Sequence, residues 1–196
     1  MENNKEKSGG FFKRYGYYIL AFVLILGVTL CVAFSGNENT NVDIPNTDVE
    51  TETKPLVFGL PVNSPEVTKW YSDTELMFNQ TLNQWESHMA IDMVSGNEND
   101  LNVYSVLDGI VTNIETSYDY GTIVTVTHQD GFVSKYSSLN ENLNVELNQN
   151  VSKGTLLGTV STSATNEIKE GNHLHFALYK DGQKVDPANY LTLENK

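Results

Sequence analysis

The 196-residue sequence predicts a mainly β protein: an antiparallel β-sandwich or barrel-like domain behind one N-terminal transmembrane helix. Three observations predict it. Short runs of β-branched and aromatic residues recur between turn residues from Val103 onward. Asp130-Gly131 and Asp181-Gly182 fall between such runs, and Asp-Gly is a favoured hairpin turn. Residues 15–34 contain no charged side chain, and at about 1.5 Å per residue they cross roughly 30 Å of hydrocarbon.

Residues 1–14 read as a cytoplasmic tail. Lys5, Lys7, Lys13 and Arg14 precede the apolar run, so positive-inside bias keeps the N-terminus in the cytoplasm and sends the rest outside. Tyr15, Tyr17 and Tyr18 suit the inner membrane interface. A cleaved signal peptide ending at Ala33-Phe34-Ser35 is the competing reading, and the long apolar run argues against it. Leu30 is too bulky for a lipoprotein signal at Cys31, and with a single cysteine no disulfide can form within the chain. Residues 35–54 are mostly Gly, Asn, Thr, Asp and Glu without a hydrophobic period and read as a flexible linker. As a random coil it spans on the order of 25 Å.

Residues 55–193 are long enough for one domain with its own core. Strands are expected at Val103–Val106, Gly109–Ile114, Gly121–His128 and Phe132–Tyr136, then as a pair around Val151–Gly158, and at His173–Tyr179. The helical candidates are Thr74–Trp85 and a short turn near Pro187–Leu191. Trp85 reads equally as a residue packed beside the core or as a contact residue.

The formal net charge is −13. The segment before Phe34 holds four basic and two acidic residues, which leaves 8 basic and 23 acidic residues outside, about −15. Such a charge argues against nucleic acid and against docking on anionic lipid or polymer.

Three of the chain's four histidines lie in His88-Met-Ala-Ile-Asp92 and His173-Leu-His175. A four-residue spacing puts His88 and Asp92 on one face of a helix or a strand. On a strand His173 and His175 share a face while Leu174 and Phe176 turn toward a core. Two imidazoles and a carboxylate make a first shell for zinc, and three protein ligands with an open fourth position are what a catalytic zinc needs.

Beyond these motifs, the segment His88–Leu191 resembles the LytM/lysostaphin-type zinc endopeptidases, the Gly-Gly endopeptidases that cleave peptide cross-bridges of bacterial peptidoglycan. The matching pieces occur in the family's order: His88–Asp92, Val106–Val111, Tyr120–His128, Val151–Gly158, Gly171–Phe176 and Val185–Leu191. The resemblance implies one Zn2+ held by His88, Asp92 and His175, with His173 as a catalytic side chain. It also exposes a departure. Active members carry a second catalytic histidine in Tyr-x-His-Leu, and this chain has Tyr136-Ser137-Ser138-Leu139, with Ser138 in place of the imidazole. A serine hydroxyl does not titrate near neutral pH, so hydrolysis should be weak or absent. Ala90 replaces a usual glycine, a milder change, and His128 fits a surface or core role.

The leader, with Phe58-Gly-Leu-Pro-Val62 and Thr81–His88, together with the short linker and the anchor, resembles the stage II sporulation Q family of endospore-forming Firmicutes, particularly its clostridial type. That resemblance implies a forespore membrane protein whose outer domain binds stage III sporulation protein AH across the intermembrane space, in a channel or zipper built as a ring. The alternative is an active membrane-anchored peptidoglycan endopeptidase.

Overall fold

The computed structural model describes residues 56–193. The expected tail (1–14), membrane span (15–34) and linker (35–54) lie outside them; among the described residues no helix is long and apolar enough to cross a membrane. Twelve strands run in order: β1 Pro65–Lys69, β2 Ser72–Asn79, β3 Gln84–His88, β4 Ile91–Ser95, β5 Asn102–Tyr104, β6 Gly109–Ser117, β7 Gly121–His128, β8 Phe132–Leu139, β9 Asn150–Val151, β10 Leu156–Thr159, β11 Leu174–Lys180 and β12 Gln183–Val185. Short 3-10 turns cover Thr165–Glu170 and Pro187–Asn189.

Among the described residues every strand pairing is antiparallel, as the many short strands with regular turns predict. One sheet has the order β1-β4-β11-β8-β7-β6-β9, with β12 on β11 beyond β4. β5 pairs with β10, and β2 with β3, as separate two-stranded ribbons. The strands expected around residues 151–158 do form, but β9 joins β6 and β10 joins β5 instead of pairing with each other.

Turn chemistry sets the hairpins. Asp130 and Gly131 have φ of 55° and 72°, and Asp181 and Gly182 have 50° and 79°. Two consecutive positive φ angles make the turn whose twist matches the flanking strands. Those turns fix the β7–β8 and β11–β12 registers, including Thr127 opposite Val133 and Lys180 opposite Gln183.

The core is one cluster. Val111, Val124, Val126, Tyr136, Leu174 and Phe176 from the main sheet meet Val103 of β5 and Leu157 of β10. Leu174 and Phe176 are fully buried, as the His-x-His alternation requires. β7 is less alternating than its sequence suggests. Thr122 and Thr125 are buried along with Ile123, Val124 and Val126, because β7 is flanked by β6 and β8 and covered on both faces.

The expected helix at Thr74–Trp85 is a hairpin. Glu75, Leu76 and Met77 have fair helix propensity, but Asn79 stops any helix there. Its side-chain oxygen accepts the backbone N–H groups of Thr81 and Leu82, and Asn83 turns the chain with φ of 53°. Trp85 is 66% exposed and lies against Phe78 with ring centroids 5.5 Å apart, so it is not packed beside the core.

Tyr136 ties the two faces together. Its hydroxyl accepts the Val106 N–H at 2.9 Å inside the core, and Ser134 Oγ lies 3.0 Å from it. Tyr136→Phe strands a buried N–H, and is expected to cost about 1–3 kcal/mol of stability. Urea unfolding of the two proteins reads this directly, and unchanged midpoints would remove Tyr136 from that role.

Candidate metal centre

Four strands, three of them adjacent in the main sheet, and one irregular turn build the site. His88 closes β3 and Asp92 is the second residue of β4, with Met89 and Ala90 making the connection. The pair is therefore joined by a corner between strands, and not by one helix or one strand. His88 Nε2 faces Asp92 Oδ2 at 3.1 Å. In the sheet, Asp92 stands opposite His175 of β11 on one side and Lys69 of β1 on the other. The His175 Nδ1 to Asp92 Oδ1 distance is 2.8 Å. A register shift in β1 between Val67 and Lys69 brings the Lys69 ammonium to 3.4 Å from Asp92 Oδ2.

His173 precedes β11 and is 1% exposed. Its Nδ1 lies 3.0 Å from the Gly171 carbonyl. His88 Nδ1 lies 3.0 Å from the Trp70 carbonyl. Each Nδ1–H donates to its carbonyl and leaves the Nε2 lone pair facing the site, the usual way a metal-ligating imidazole is oriented.

Sequence reasoning missed two residues here. Glu167 sits in the Thr165–Glu170 turn, is 2% exposed, and points its carboxylate among the imidazoles. Lys69 is the site's ammonium. Neither lies in a periodic motif, so neither carried a signal beyond its residue type. Donor atoms of His88, Asp92, Glu167 and His175 all lie within 4.8 Å of one another.

The charges are strongly coupled. Burial, the largest single influence, pulls the His175 imidazole down, but the Asp92 and Glu167 carboxylates outweigh it and push it up to about 9. Burial raises the carboxyl of Asp92, yet the hydrogen bond from His175 and the proximity of the His88 ring hold it well below the usual range. Glu167 is likewise held low against its burial by His173 and His175. Lys69 is raised by Glu170, Asp92 and Glu167 against its burial. Four buried atoms still make no hydrogen bond: His88 Nε2, Asp92 Oδ2, Glu167 Oε2 and His173 Nε2. Buried lone pairs without partners are costly, and a divalent cation among them satisfies several at once. The donor set of imidazoles and carboxylates fits zinc.

Ser138 has no solvent exposure and a φ of 63°. Its hydroxyl donates to the Ser161 carbonyl at 2.9 Å, and Ser161 pairs with His173. The residue is thus one bridge away from His173, with its hydroxyl committed to backbone. A cleft of about 570 Å³ leads to the centre and is lined among others by Leu82, Tyr118, Tyr120, Glu167 and Lys184.

With that geometry, the comparisons are informative. The sequence profile of peptidase family M23 matches residues 86–187, just over half of the chain. The chain belongs to peptidase family M23. Stage II sporulation protein Q of Bacillus subtilis (strain 168) is 31% identical over 109 residues, covering 56% of this chain and 38% of that protein. The chain spans well under half the length of the curated relatives it matches. A chain in a SpoIIQ–SpoIIIAH pore-forming complex superposes with a TM-score of 0.60 and 25% identity, over 70% of this chain and 92% of that one. A second SpoIIIAH and SpoIIQ complex gives 0.58 and 26%, over 68% and 99%. The expected resemblance to LytM-type peptidases and to Q-type sporulation proteins is borne out.

His128 is a core residue of this M23 domain. It is 7% exposed, with Nδ1 2.9 Å from the Asp108 carbonyl and Nε2 2.7 Å from Ser134 Oγ. Burial lowers its pKa, against a smaller upward pull from Asp108. The unfolded chain then binds the proton more readily, so this group's contribution is present above about pH 6.5 and fades as pH falls. His173 and His175 act in the opposite sense, and a difference measurement cancels them. Between pH 7.5 and 5, metal-stripped His128→Gln should gain stability relative to metal-stripped wild type in urea unfolding. Parallel curves would exclude the effect.

Proposed function

We propose that this M23 domain is a catalytically weak, membrane-anchored interaction module of sporulation. In this reading it stands on the forespore membrane, N-terminus in the cytoplasm, and binds stage III sporulation protein AH anchored in the opposing mother-cell membrane. One observation carries it: the chain aligns with stage II sporulation protein Q and superposes on chains solved in SpoIIQ–SpoIIIAH complexes, and its resemblance to active LytM-type enzymes implies Ser138 in place of a catalytic imidazole. A tether and an opposed partner also suit each other physically, because anchoring both raises their effective concentration.

Zinc would be held by His88 Nε2, Asp92 and His175 Nδ1, the three ligands expected from the motifs. Bound there, it would supply Lewis acidity and a scaffold joining β3, β4 and β11. The chain's own residues do the rest. The Trp70 carbonyl fixes the His88 ring, and the Gly171 carbonyl fixes that of His173. His173, buried with a free Nε2, can accept a proton. Ser138 cannot, and its hydroxyl already donates to Ser161. Losing one such group commonly removes about 10²–10⁴-fold in rate, roughly 3–5 kcal/mol of transition-state stabilisation. The active-endopeptidase alternative has no group in that place.

Elemental analysis of full-length protein purified without added metal should find one zinc per chain, and His88→Ala should lose it while keeping its far-ultraviolet β spectrum. Full zinc in that variant would remove His88 from the ligand set. For the role itself, stage III sporulation protein AH should be recovered by pull-down with the full-length chain, and muropeptide release by the zinc-loaded protein should stay near background. Robust hydrolysis with no recovered partner would reverse the assignment in favour of the enzyme.

A further inference from the structure

The Glu167 carboxylate lies within reach of every other charged or ligating side chain of the centre except Asp92 and Glu170. Its Oε1 is 3.4 Å from Lys69 Nζ and 4.0 Å from His88 Nε2. Its Oε2 is 3.3 Å from His175 Nδ1 and 3.5 Å from His173 Nε2. It therefore sits between the residue expected to act on substrate and the residues expected to hold metal. It also lines the cleft by which a substrate would arrive.

We propose that Glu167 is a fourth protein ligand that closes the metal site and converts an open, catalytic arrangement into a closed, structural one. This rests on the reading that His88, Asp92 and His175 bind zinc. Catalytic zinc keeps a position for water or substrate, whereas structural zinc has four protein ligands. In a tetrahedron with bonds of ~2.0–2.1 Å, ligand atoms stand roughly 3.3–3.4 Å apart. The His88–Asp92 separation of 3.1 Å and the 3.3 Å from His175 Nδ1 to Glu167 Oε2 are close to that edge, the His175–Asp92 separation of 2.8 Å is shorter, and a turn of the Glu167 carboxylate, whose other oxygen is 4.0 Å from His88 Nε2, completes the shell.

Two further observations support the assignment. Glu167 Oε2 is buried without a hydrogen bond and points into the cluster, so it is a waiting donor. The charge also closes. Asp92, Glu167 and Glu170 against Lys69 leave two negative charges, which one divalent cation neutralises when the imidazoles ligate in their neutral form. Lys69 is then the internal counter-ion that lets a second carboxylate join the site.

Glu167 is held in place from both sides. Its turn is a 3-10 segment interrupted at Glu167 itself, where φ is −130° and ψ is 20°. Thr165 Oγ1 donates to the Tyr118 carbonyl at 2.7 Å, on the β6–β7 connection. Asn79 Nδ2 donates to the Asn166 carbonyl at 3.0 Å, and Lys169 Nζ to that of Gln80 at 2.9 Å, on the β2–β3 hairpin. A segment fastened to two hairpins is a fixed wall and not a swinging lid.

Cobalt substitution reads coordination without relying on activity. Cobalt-loaded full-length wild type should show the intense visible absorption of a four-coordinate site, and added azide should leave that spectrum unchanged. In Glu167→Gln the position opens: azide should perturb the spectrum, and affinity measured by chelator competition should fall by at least the roughly 10–100-fold typical of losing even an outer partner. The wild-type azide measurement stands even if the variant does not fold. A wild type that takes up no cobalt or zinc overturns the three-ligand reading and this inference together. A wild type that binds metal but responds to azide, or a Glu167→Gln protein with wild-type affinity and spectrum, overturns this inference alone.

Discussion

Asp92 is a carboxylate with no solvent exposure, and the balancing of its charge organises this end of the domain. An unpaired charge in a protein interior is expensive enough to be excluded or neutralised. Here a single rung across the sheet does the balancing: Lys69 on β1, Asp92 on β4, His175 on β11, then Ser137 on β8. A one-residue slip of any of these strands would turn a partner to the opposite face. The register shift in β1 belongs to the same constraint, since it is what sets Lys69 opposite Asp92. The hydrophobic packing of Leu174 and Phe176 on the reverse face locks that register from the other side.

The parts of the fold that were legible in the sequence are those where local chemistry and tertiary structure agree. Two Asp-Gly steps demanded positive φ at both turn residues, and both hairpins formed there. His-x-His with apolar residues between predicted which face of β11 is buried. The Thr74–Trp85 segment misled because its residue types suit a helix, while its conformation follows from Asn79 and from pairing with β3, neither of which shows as a period. Trp85 was half legible: as a contact candidate it is where an exposed aromatic belongs, and as a core residue it is not. At the centre, the histidine and aspartate motifs stood out by residue type, but the corner from β3 to β4 that carries His88 to Asp92 did not, because a four-residue spacing suits a single helix or strand equally well. Glu167 and Lys69 did not stand out either, because one lies on an irregular turn and the other owes its place to a bulge.

An M23 scaffold supports two uses that make opposite demands. Hydrolysis needs an accessible metal edge, a proton acceptor and a stabilising imidazole on the far side. A binding module needs only a stiff frame. This chain keeps the elements of stiffness: oriented rings, a neutralised carboxylate and a turn fastened to two hairpins. Ser138, whose hydroxyl does not titrate near neutral pH, donates to the Ser161 carbonyl and so secures backbone. The exposed aromatic pair Phe78 and Trp85 lies on the ribbon that delivers His88, so the frame and this exposed apolar pair are continuous in the chain.

The position of β11 has a consequence for how the domain is made. β1 and β4 join the rest of the main sheet only through β11, which lies between β4 and β8. Yet β11 spans Leu174–Lys180, far downstream of β4 at Ile91–Ser95 and of β8 at Phe132–Leu139. During synthesis from the N-terminus, the first ribbons and the β6–β8 meander can each form early through local contacts. The seam between them must wait for β11 to emerge, and contacts this distant in sequence form slowly. Until then His88 and Asp92 are separated from their third partner, so the centre is assembled last. An ion shared by all three is therefore taken up only once β11 has paired with β4.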